Sequence, residues 1–186
     1  LVGSEMCIRD SAETVRVIAQ QYAWNVHYPG PDGRFGSTRI DLVDEQDNPI
    51  GLDRSSEFAK DDFTTINQLH IPVNKKIRVD LSSKDVIHNF KLPELRVSQD
   101  AIPGLVIPVH FTATSTSDEF LKTAVGTKRE GKGLEIACAQ LCGLGHYRMK
   151  GYVTIHEEDD YQAWLDEQAS YLSLIHISEP TRLRSI

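Results

Sequence analysis

The sequence lacks several features that mark common functional classes. It contains no uninterrupted apolar run of about eighteen residues, so it predicts no transmembrane helix. It contains no glycine-rich phosphate loop and no G-x-S-x-G motif, so neither a nucleotide site nor a serine-hydrolase site is predicted. Three cysteines in 186 residues are too few for the disulfide framework of a small secreted domain.

Basic charge is also scarce. The chain has 20 lysines and arginines against 27 aspartates and glutamates, a formal net charge of −7. Nucleic acids and anionic membrane surfaces attract basic proteins, so this balance argues against both and weakly favours a basic partner. The charged fraction of 25% and the hydrophobic fraction of 40% are those of an ordinary globular protein with one core.

The two ends of the chain differ from the rest. LVGSEMCIRDS at the start and LSLIHISEPTRLRSI at the end show neither strand alternation nor a capped amphipathic helix, and both resemble translated sequencing-adapter sequence. We therefore expect residues 1–11 and 172–186 to be non-native tails, with one domain at residues 12–171. The third cysteine, Cys7, falls in the first of these tails.

Between the ends, the pattern predicts short strands separated by turns. The predicted strands cover residues 14–24, 76–81, 86–92, 106–114, 134–137 and 152–155. A turn is expected at 28–33 and a polar, acidic excursion at 41–63. One short helix should follow the last strand, with Asp159 and Gln162 as its capping box. Many short strands with regular turns predict an all-β Greek-key sandwich or barrel.

The segment CAQLCGLGHYRM at residues 138–149 concentrates metal-binding side chains. Its donors are Cys138, Cys142, His146 and Met149. A further histidine, His88, lies upstream in the sequence DVIH. Thiolate, imidazole and thioether form a soft donor set, which selects copper over magnesium or calcium. In a loop between two strands, the four-residue steps bring the first three donors together, and a neighbouring strand can supply His88.

The second cysteine changes the expected copper site. A mononuclear blue-copper centre uses one cysteine, two histidines and a weak methionine. Two thiolates can bridge two copper ions, which leaves one imidazole for each ion. Met149 and a main-chain carbonyl oxygen then fill the weak axial positions. No position remains open for a substrate, so this arrangement favours electron transfer over catalysis.

Two other interpretations of the cysteines remain open at this point. Structural zinc sites prefer C-x₂-C pairs and four closed ligands, whereas the spacing here is C-x₃-C and Met149 would have no role. A disulfide between Cys138 and Cys142 is possible in an oxidising compartment. Either alternative would make the chain a zinc-stabilised or disulfide-stabilised binding module without a redox role.

Three motifs occur in a fixed order: DVIH at 85–88, QDAIPG at 99–104 and CAQLCGLGHYRM at 138–149. Together they resemble the dinuclear copper domain of cytochrome c oxidase subunit II. The similarity extends from about residue 12 to residue 169 of this chain and includes the sequence QYAW at 21–24. The pattern C-x-[EQ]-x-C-x₃-H-x₂-M with an upstream D-V-x-H is highly specific. The resemblance implies a cupredoxin fold.

The resemblance also implies a role and a location. Such a domain lies on the outer face of the bacterial cytoplasmic membrane, in a membrane-anchored subunit of an oxidoreductase and translocase. It takes electrons from cytochrome c through two copper ions and passes them to haem in subunit I. The implied metal ligands are His88, Cys138, Gln140 through its main-chain oxygen, Cys142, His146 and Met149. The redox alternative, a nitrous oxide reductase copper domain, is disfavoured by Gln140 and by the DVIH sequence.

The sequence departs from this family at two positions. Many relatives have glutamate at position 140, where its side chain also helps to hold magnesium at the boundary with subunit I. An amide is a poorer ligand for a hard cation, so a magnesium site involving Gln140 is doubtful. Many relatives have tryptophan where this chain has Tyr22. Tyr22 and Trp24 are candidates for the point where electrons enter, and Asp85 is a candidate for docking cytochrome c or for capping a turn.

Overall fold

A computed structural model describes residues 12–178, and within them ten strands form two five-stranded sheets. The strands are β1 Glu13–Gln20, β2 Ala23–Tyr28, β3 Phe63–Ile66, β4 Gln68–Pro72, β5 Lys76–Ser83, β6 His88–Leu92, β7 Val97–Ala101, β8 Ile107–Thr112, β9 Leu134–Cys138 and β10 Lys150–His156. The helices are α1 Ser117–Ala124 and α2 Glu158–Ser178.

The two sheets form a sandwich. The first has the strand order β3-β2-β1-β5-β8, and the second has the order β4-β10-β9-β6-β7. The pairs β1–β5 and β4–β10 are parallel, and the other pairs are antiparallel. Along β5, buried Ile77, Val79 and Leu81 alternate with more exposed residues, so one face of the strand enters the core. The prediction of an all-β, cupredoxin-like sandwich is confirmed.

Several element boundaries differ from the sequence prediction. The expected single strand over residues 14–24 is two antiparallel strands, because the chain reverses at Gln21 and Tyr22. Strands β3, β4 and β7 were not predicted. Helix α1 was also missed, although its Thr116 and Glu119 form a capping box, in which each side chain accepts the other residue's main-chain N–H.

The acidic excursion predicted at 41–63 lies outside the strands except for Phe63, which begins β3, and it packs against the first sheet. Residues 29–62 contain no strand, only two short 3₁₀ turns and isolated bridges. It is held by Asp62, whose Oδ2 lies 2.6 Å from Nε2 of His27 on β2 and accepts the Gly36 N–H at 2.8 Å. The side chains of His27 and Asp62 are both fully buried. This buried polar contact anchors the excursion to the sheet.

Helix α2 closes one end of the sandwich. Its Trp164 ring stacks on His70 with the ring centroids 4.2 Å apart. The helix begins at Glu158, so the predicted cap Asp159 lies inside the first turn, where its charge complements the helix dipole. At 21 residues it is longer than the short helix predicted, and its backbone continues past the predicted domain end at residue 171. Within residues 12–178, no helix is long and apolar enough to cross a membrane. The predicted tail at 1–11 lies outside the described residues.

Two histidines beside α2 give the domain a pH-dependent stability. Burial, and next the neighbouring His156, lowers the pKa of His70 from 6.5 to about 4. The unfolded chain therefore binds this proton more readily than the folded one. This contribution to stability is complete above about pH 6.5 and is lost as the pH falls toward about 4. Because the ring is only partly shielded from water, we expect a loss of roughly 1–2 kcal/mol in the free energy of unfolding.

Urea denaturation of the metal-free domain at about pH 7.5 and about pH 4.5 measures this loss. The His70→Gln variant should show a smaller difference between the two pH values than the unmodified protein. His110→Gln is the matched control, because His110 is exposed on β8. The assignment is wrong if both variants keep the full pH dependence.

Candidate metal centre

Three adjacent strands of the second sheet position the predicted metal ligands. His88 begins β6 and Cys138 ends β9, and these strands pair with Phe90 opposite Cys138. The loop of residues 139–149 then leads from β9 into β10. A 3₁₀ turn at His146–Arg148 brings the chain back toward the strands. The sheet register therefore places the upstream histidine beside the C-x₃-C segment.

The two sulfur atoms lie at the middle of the cluster, with one imidazole on each side. The sulfurs of Cys138 and Cys142 are 3.9 Å apart. Nδ1 of His88 lies 3.8 Å from the first sulfur, and Nδ1 of His146 lies 3.5 Å from the second. The thioether sulfur of Met149 is 3.8 Å from the Cys142 sulfur. Both cysteines are free thiols, so no disulfide joins them.

Gln140 adds an oxygen to this cluster. Its main-chain carbonyl oxygen lies 3.1 Å from the Cys138 sulfur, while its side chain is exposed. The six residues that the sequence predicts as ligands therefore converge on one place. His88, Cys142 and Met149 are buried, and the other residues of the set are partly or fully accessible. The cluster is shielded on its core side and approachable from the loop side.

Asp85 faces this cluster from the turn before β6. Its Oδ1 lies 2.8 Å from Nε2 of His88, and accepting that N–H leaves Nδ1 free to face the sulfurs. The same carboxylate accepts the main-chain N–H groups of Val86 at 2.6 Å and Gln21 at 2.7 Å. Most of its hydrogen-bonding capacity is therefore used within the chain. Asp85 therefore holds the orientation of the His88 imidazole, a contact that the sequence did not predict.

The two aromatic candidates occupy different positions. Trp24 is fully buried, with its ring centroid 6.2 Å from that of His88 and 5.5 Å from that of Phe90. It cannot touch a partner at the surface. Tyr22 is half-buried in the turn between β1 and β2 and packs against Gly145 of the metal loop. Of these two aromatic residues, Tyr22 is therefore the one that links the loop with the surface.

Sequence reasoning missed one contact of the metal loop. Nε2 of Gln21 donates a hydrogen bond of 2.5 Å to the carbonyl oxygen of Cys142. The only signal was the position of this glutamine in QYAW.

The loop that carries the candidate ligands also exposes three large apolar side chains, Leu141, Leu144 and Tyr147, each at least 76% accessible. Such an exposed apolar group beside a metal cluster is typical of a contact surface.

Comparison with known proteins identifies the family. Residues 13–155 match the family described as cytochrome c oxidase subunit II, periplasmic domain. The chain belongs to this family. The alternative cytochrome c oxidase subunit 2 of Bradyrhizobium diazoefficiens is 35% identical over 164 residues, which are 88% of this chain and 53% of that protein. The Cereibacter sphaeroides subunit 2 is 29% identical over 168 residues, 86% of this chain and 50% of that protein.

A solved structure agrees with this assignment. The periplasmic domain of subunit II of cytochrome oxidase (CoxB) of Bradyrhizobium japonicum superposes with a TM-score of 0.57 at 26% identity. The match covers 87% of this chain and 96% of that one. The chain spans about half the length of the curated relatives named above. This subunit II domain is therefore extracytoplasmic, and the two alternatives, a nitrous oxide reductase domain and a non-redox binding module, are not supported.

The donor set of this subunit II domain fits copper. Two thiols, two imidazoles and a thioether are soft or intermediate donors, and the Gln140 carbonyl oxygen lies 3.1 Å from the Cys138 sulfur. Zinc would leave Met149 without a role, because structural zinc sites use cysteine, histidine and carboxylate. Copper is therefore the metal that these residues suit.

The subunit II domain holds its two thiols in unequal environments. Desolvation raises the pKa of Cys138, but hydrogen bonds from His88 and nearby main-chain groups outweigh it, so the net shift is downward. Desolvation, and next repulsion by Cys138, raises the pKa of Cys142. The thiolate is the form that binds metal. Of the two thiols, Cys138 is therefore the one that loses its proton more readily.

Proposed function

We propose that this domain carries a dinuclear copper centre that accepts electrons from cytochrome c and passes them to haem in subunit I of the same oxidase. The observation that carries the proposal is the pair of cysteine sulfurs 3.9 Å apart, flanked by one imidazole on each side. A copper pair held by these residues would supply one-electron transfer. The chain thus belongs to an oxidoreductase and translocase, while oxygen chemistry belongs to the partner subunit.

The ligands of this proposed centre are the six residues already described. They are His88, Cys138, Gln140 through its carbonyl oxygen, Cys142, His146 and Met149. Strands β6, β9 and β10 fix both ends of the set, so the ligands move little when the charge of the centre changes. Buried Trp24 and Phe90 exclude water on the core side. Both properties reduce the reorganisation that accompanies electron transfer.

We further propose where the partners meet the domain. Tyr22 is the aromatic side chain through which electrons enter, because it reaches from the surface to the metal loop. Buried Trp24 serves only as part of the surroundings of His88. Asp85 retains a side chain that is 31% exposed and adds negative charge for a basic donor. The exposed apolar residues Leu141, Leu144 and Tyr147 add an apolar surface at which a partner can pack.

We infer that the parent protein is anchored in the bacterial cytoplasmic membrane. The copper domain itself comprises residues 12–171, with the segments beyond them of non-native origin. The support is the match of residues 13–155 to the periplasmic domain of cytochrome c oxidase subunit II. The exposed Gln140 amide does not favour magnesium, so copper is the metal we assign to the chain.

Metal analysis of the purified domain tests the proposal. After refolding with copper, we expect two coppers per chain and a mixed-valence spin signal shared over both nuclei. Copper binding should weaken at acid pH, because the ligands must be thiolate and neutral imidazole. A ratio of one copper per chain, or tight binding of zinc without colour, would contradict the dinuclear assignment.

A further inference from the structure

We propose that Gln21 is a positioning residue that holds the copper loop and the upstream histidine in register before metal binds. This inference rests on the proposed function, since it concerns the same ligand set. Gln21 lies in the turn between β1 and β2, in the first sheet, whereas the ligands lie in the second sheet. It therefore joins the two sheets at the end of the sandwich where the proposed metal ligands lie.

The first contact fixes the thiol of the loop. The side-chain amide of Gln21 donates to the carbonyl oxygen of Cys142 at 2.5 Å. Among the described residues, no other group hydrogen-bonds this carbonyl. The loop has few other anchors, since Ala139 bonds the Asn89 carbonyl at 3.2 Å and the 3₁₀ turn at His146 bonds only within the loop. Gln21 therefore sets the position of the main chain that carries the Cys142 sulfur.

The second contact reaches the opposite side of the cluster. The main-chain N–H of Gln21 donates to Oδ2 of Asp85 at 2.7 Å. The other oxygen of this carboxylate lies 2.8 Å from Nε2 of His88. One residue thus connects, through a single carboxylate, an imidazole at the start of β6 with a thiol in the loop after β9. The connection does not require a metal ion.

Close packing supports the same role. A Cβ atom at Gly143 would lie 2.7 Å from Nε2 of Gln21 and 2.6 Å from the hydroxyl oxygen of Tyr22. A Cβ atom at Gly145 would lie 2.5 Å from the ring of Tyr22. A side chain at position 145 would overlap the Tyr22 ring, and the φ angle of +136° at Gly143 is one that other residues rarely adopt. The turn at residues 21 and 22 therefore packs closely against the loop at 143–145.

Loss of the Gln21 amide should therefore weaken metal binding without unfolding the domain. Without this donor, the Cys142 carbonyl loses its partner and the loop is less ordered before metal binds. Part of the free energy of copper binding is then used to order the loop, so the affinity for copper falls. Residues that orient metal ligands typically change affinity by about 10–100-fold. We expect Gln21→Met, which keeps the size of the side chain and removes the donor, to weaken copper binding at least about tenfold.

Competition with a copper chelator measures this affinity. Gln68→Met is the matched control, because Gln68 is exposed on β4 and its side chain makes no hydrogen bond to the described residues. The control should bind copper as the unmodified domain does. The melting temperature of the metal-free protein should be similar in both variants. The optical spectrum of the copper-loaded protein should change only in Gln21→Met.

Hydrogen exchange of the unmodified, metal-free domain provides a second measurement that needs no variant to fold. The His146 N–H bonds the Gly143 carbonyl at 3.1 Å, and the Lys132 N–H bonds the Arg129 carbonyl at 2.9 Å in a distant exposed loop. If Gln21 holds the metal loop, the His146 amide should exchange at least about tenfold more slowly than the Lys132 amide. Equal exchange rates would overturn the inference.

The outcomes separate this inference from the proposed function. If the unmodified domain does not bind two coppers, the proposed function fails, whatever Gln21 does. If it binds two coppers and Gln21→Met binds them with equal affinity and an unchanged spectrum, only the role of Gln21 fails.

Discussion

Replacing Cys142 with serine is expected to abolish the dinuclear copper centre. The sulfur of Cys142 lies between the sulfur of Cys138, the imidazole of His146 and the thioether of Met149, at 3.9, 3.5 and 3.8 Å. A serine hydroxyl is a hard and weak ligand for copper. A single remaining thiolate cannot hold a pair of ions, so the variant should retain at most one copper per chain. The shared mixed-valence signal should disappear.

Copper analysis and electron paramagnetic resonance measure both effects. Cys7→Ser is the matched control, because it removes the third cysteine of the chain, outside the ligand motif. The control should bind two coppers and keep the shared signal. The bridging role of Cys142 is refuted if Cys142→Ser keeps two electronically coupled coppers.

Replacing Asp62 with alanine is expected to destabilise the domain by about 3–5 kcal/mol, without touching a metal ligand. Asp62 is fully buried, and its Oδ2 serves both His27 at 2.6 Å and the Gly36 N–H at 2.8 Å. Removal of the carboxylate leaves these two buried groups without a partner. Such groups are expensive to bury, because water can no longer hydrogen-bond them.

Urea denaturation of the metal-free domain gives the free energy of unfolding of the variant. Asp61→Ala is the matched control, since Asp61 is adjacent and half-buried and, within residues 12–178, its side chain accepts one long hydrogen bond of 3.3 Å, from the Asp32 N–H. We expect a cost of about 1 kcal/mol or less for this control. If the two variants are equally stable, the contact between His27 and Asp62 does not anchor the excursion.

The ligand set was predictable because most of it is local. Four side-chain donors and the Gln140 carbonyl occur within twelve residues, 138–149, and their spacing suits one loop between two strands. The soft character of the donors is a property of the residue types alone. In the structure these groups lie close together. It also places His88 beside them through the pairing of β6 with β9, which the strand prediction allowed but did not specify.

The sheets were predictable as a class, but not strand by strand. Glycine and proline mark the turns, and β5 shows clear alternation. Strand β7 has the polar sequence VSQDA, and β4 contains a histidine and a proline, so neither carries a strong local signal. They are strands because β6 and β10 offer them pairing partners. Tertiary pairing outweighs intrinsic preference in such cases.

The sequence by itself determined the chemistry of the centre, namely two thiols, two imidazoles and a thioether at loop spacing, within a β-sandwich. Only the tertiary structure decided which residues orient those ligands. Gln21 contacts Asp85 across 64 positions and Cys142 across 121 positions in the sequence. Contacts at such separations depend on how the two sheets are registered and packed, which no local pattern of residue types encodes.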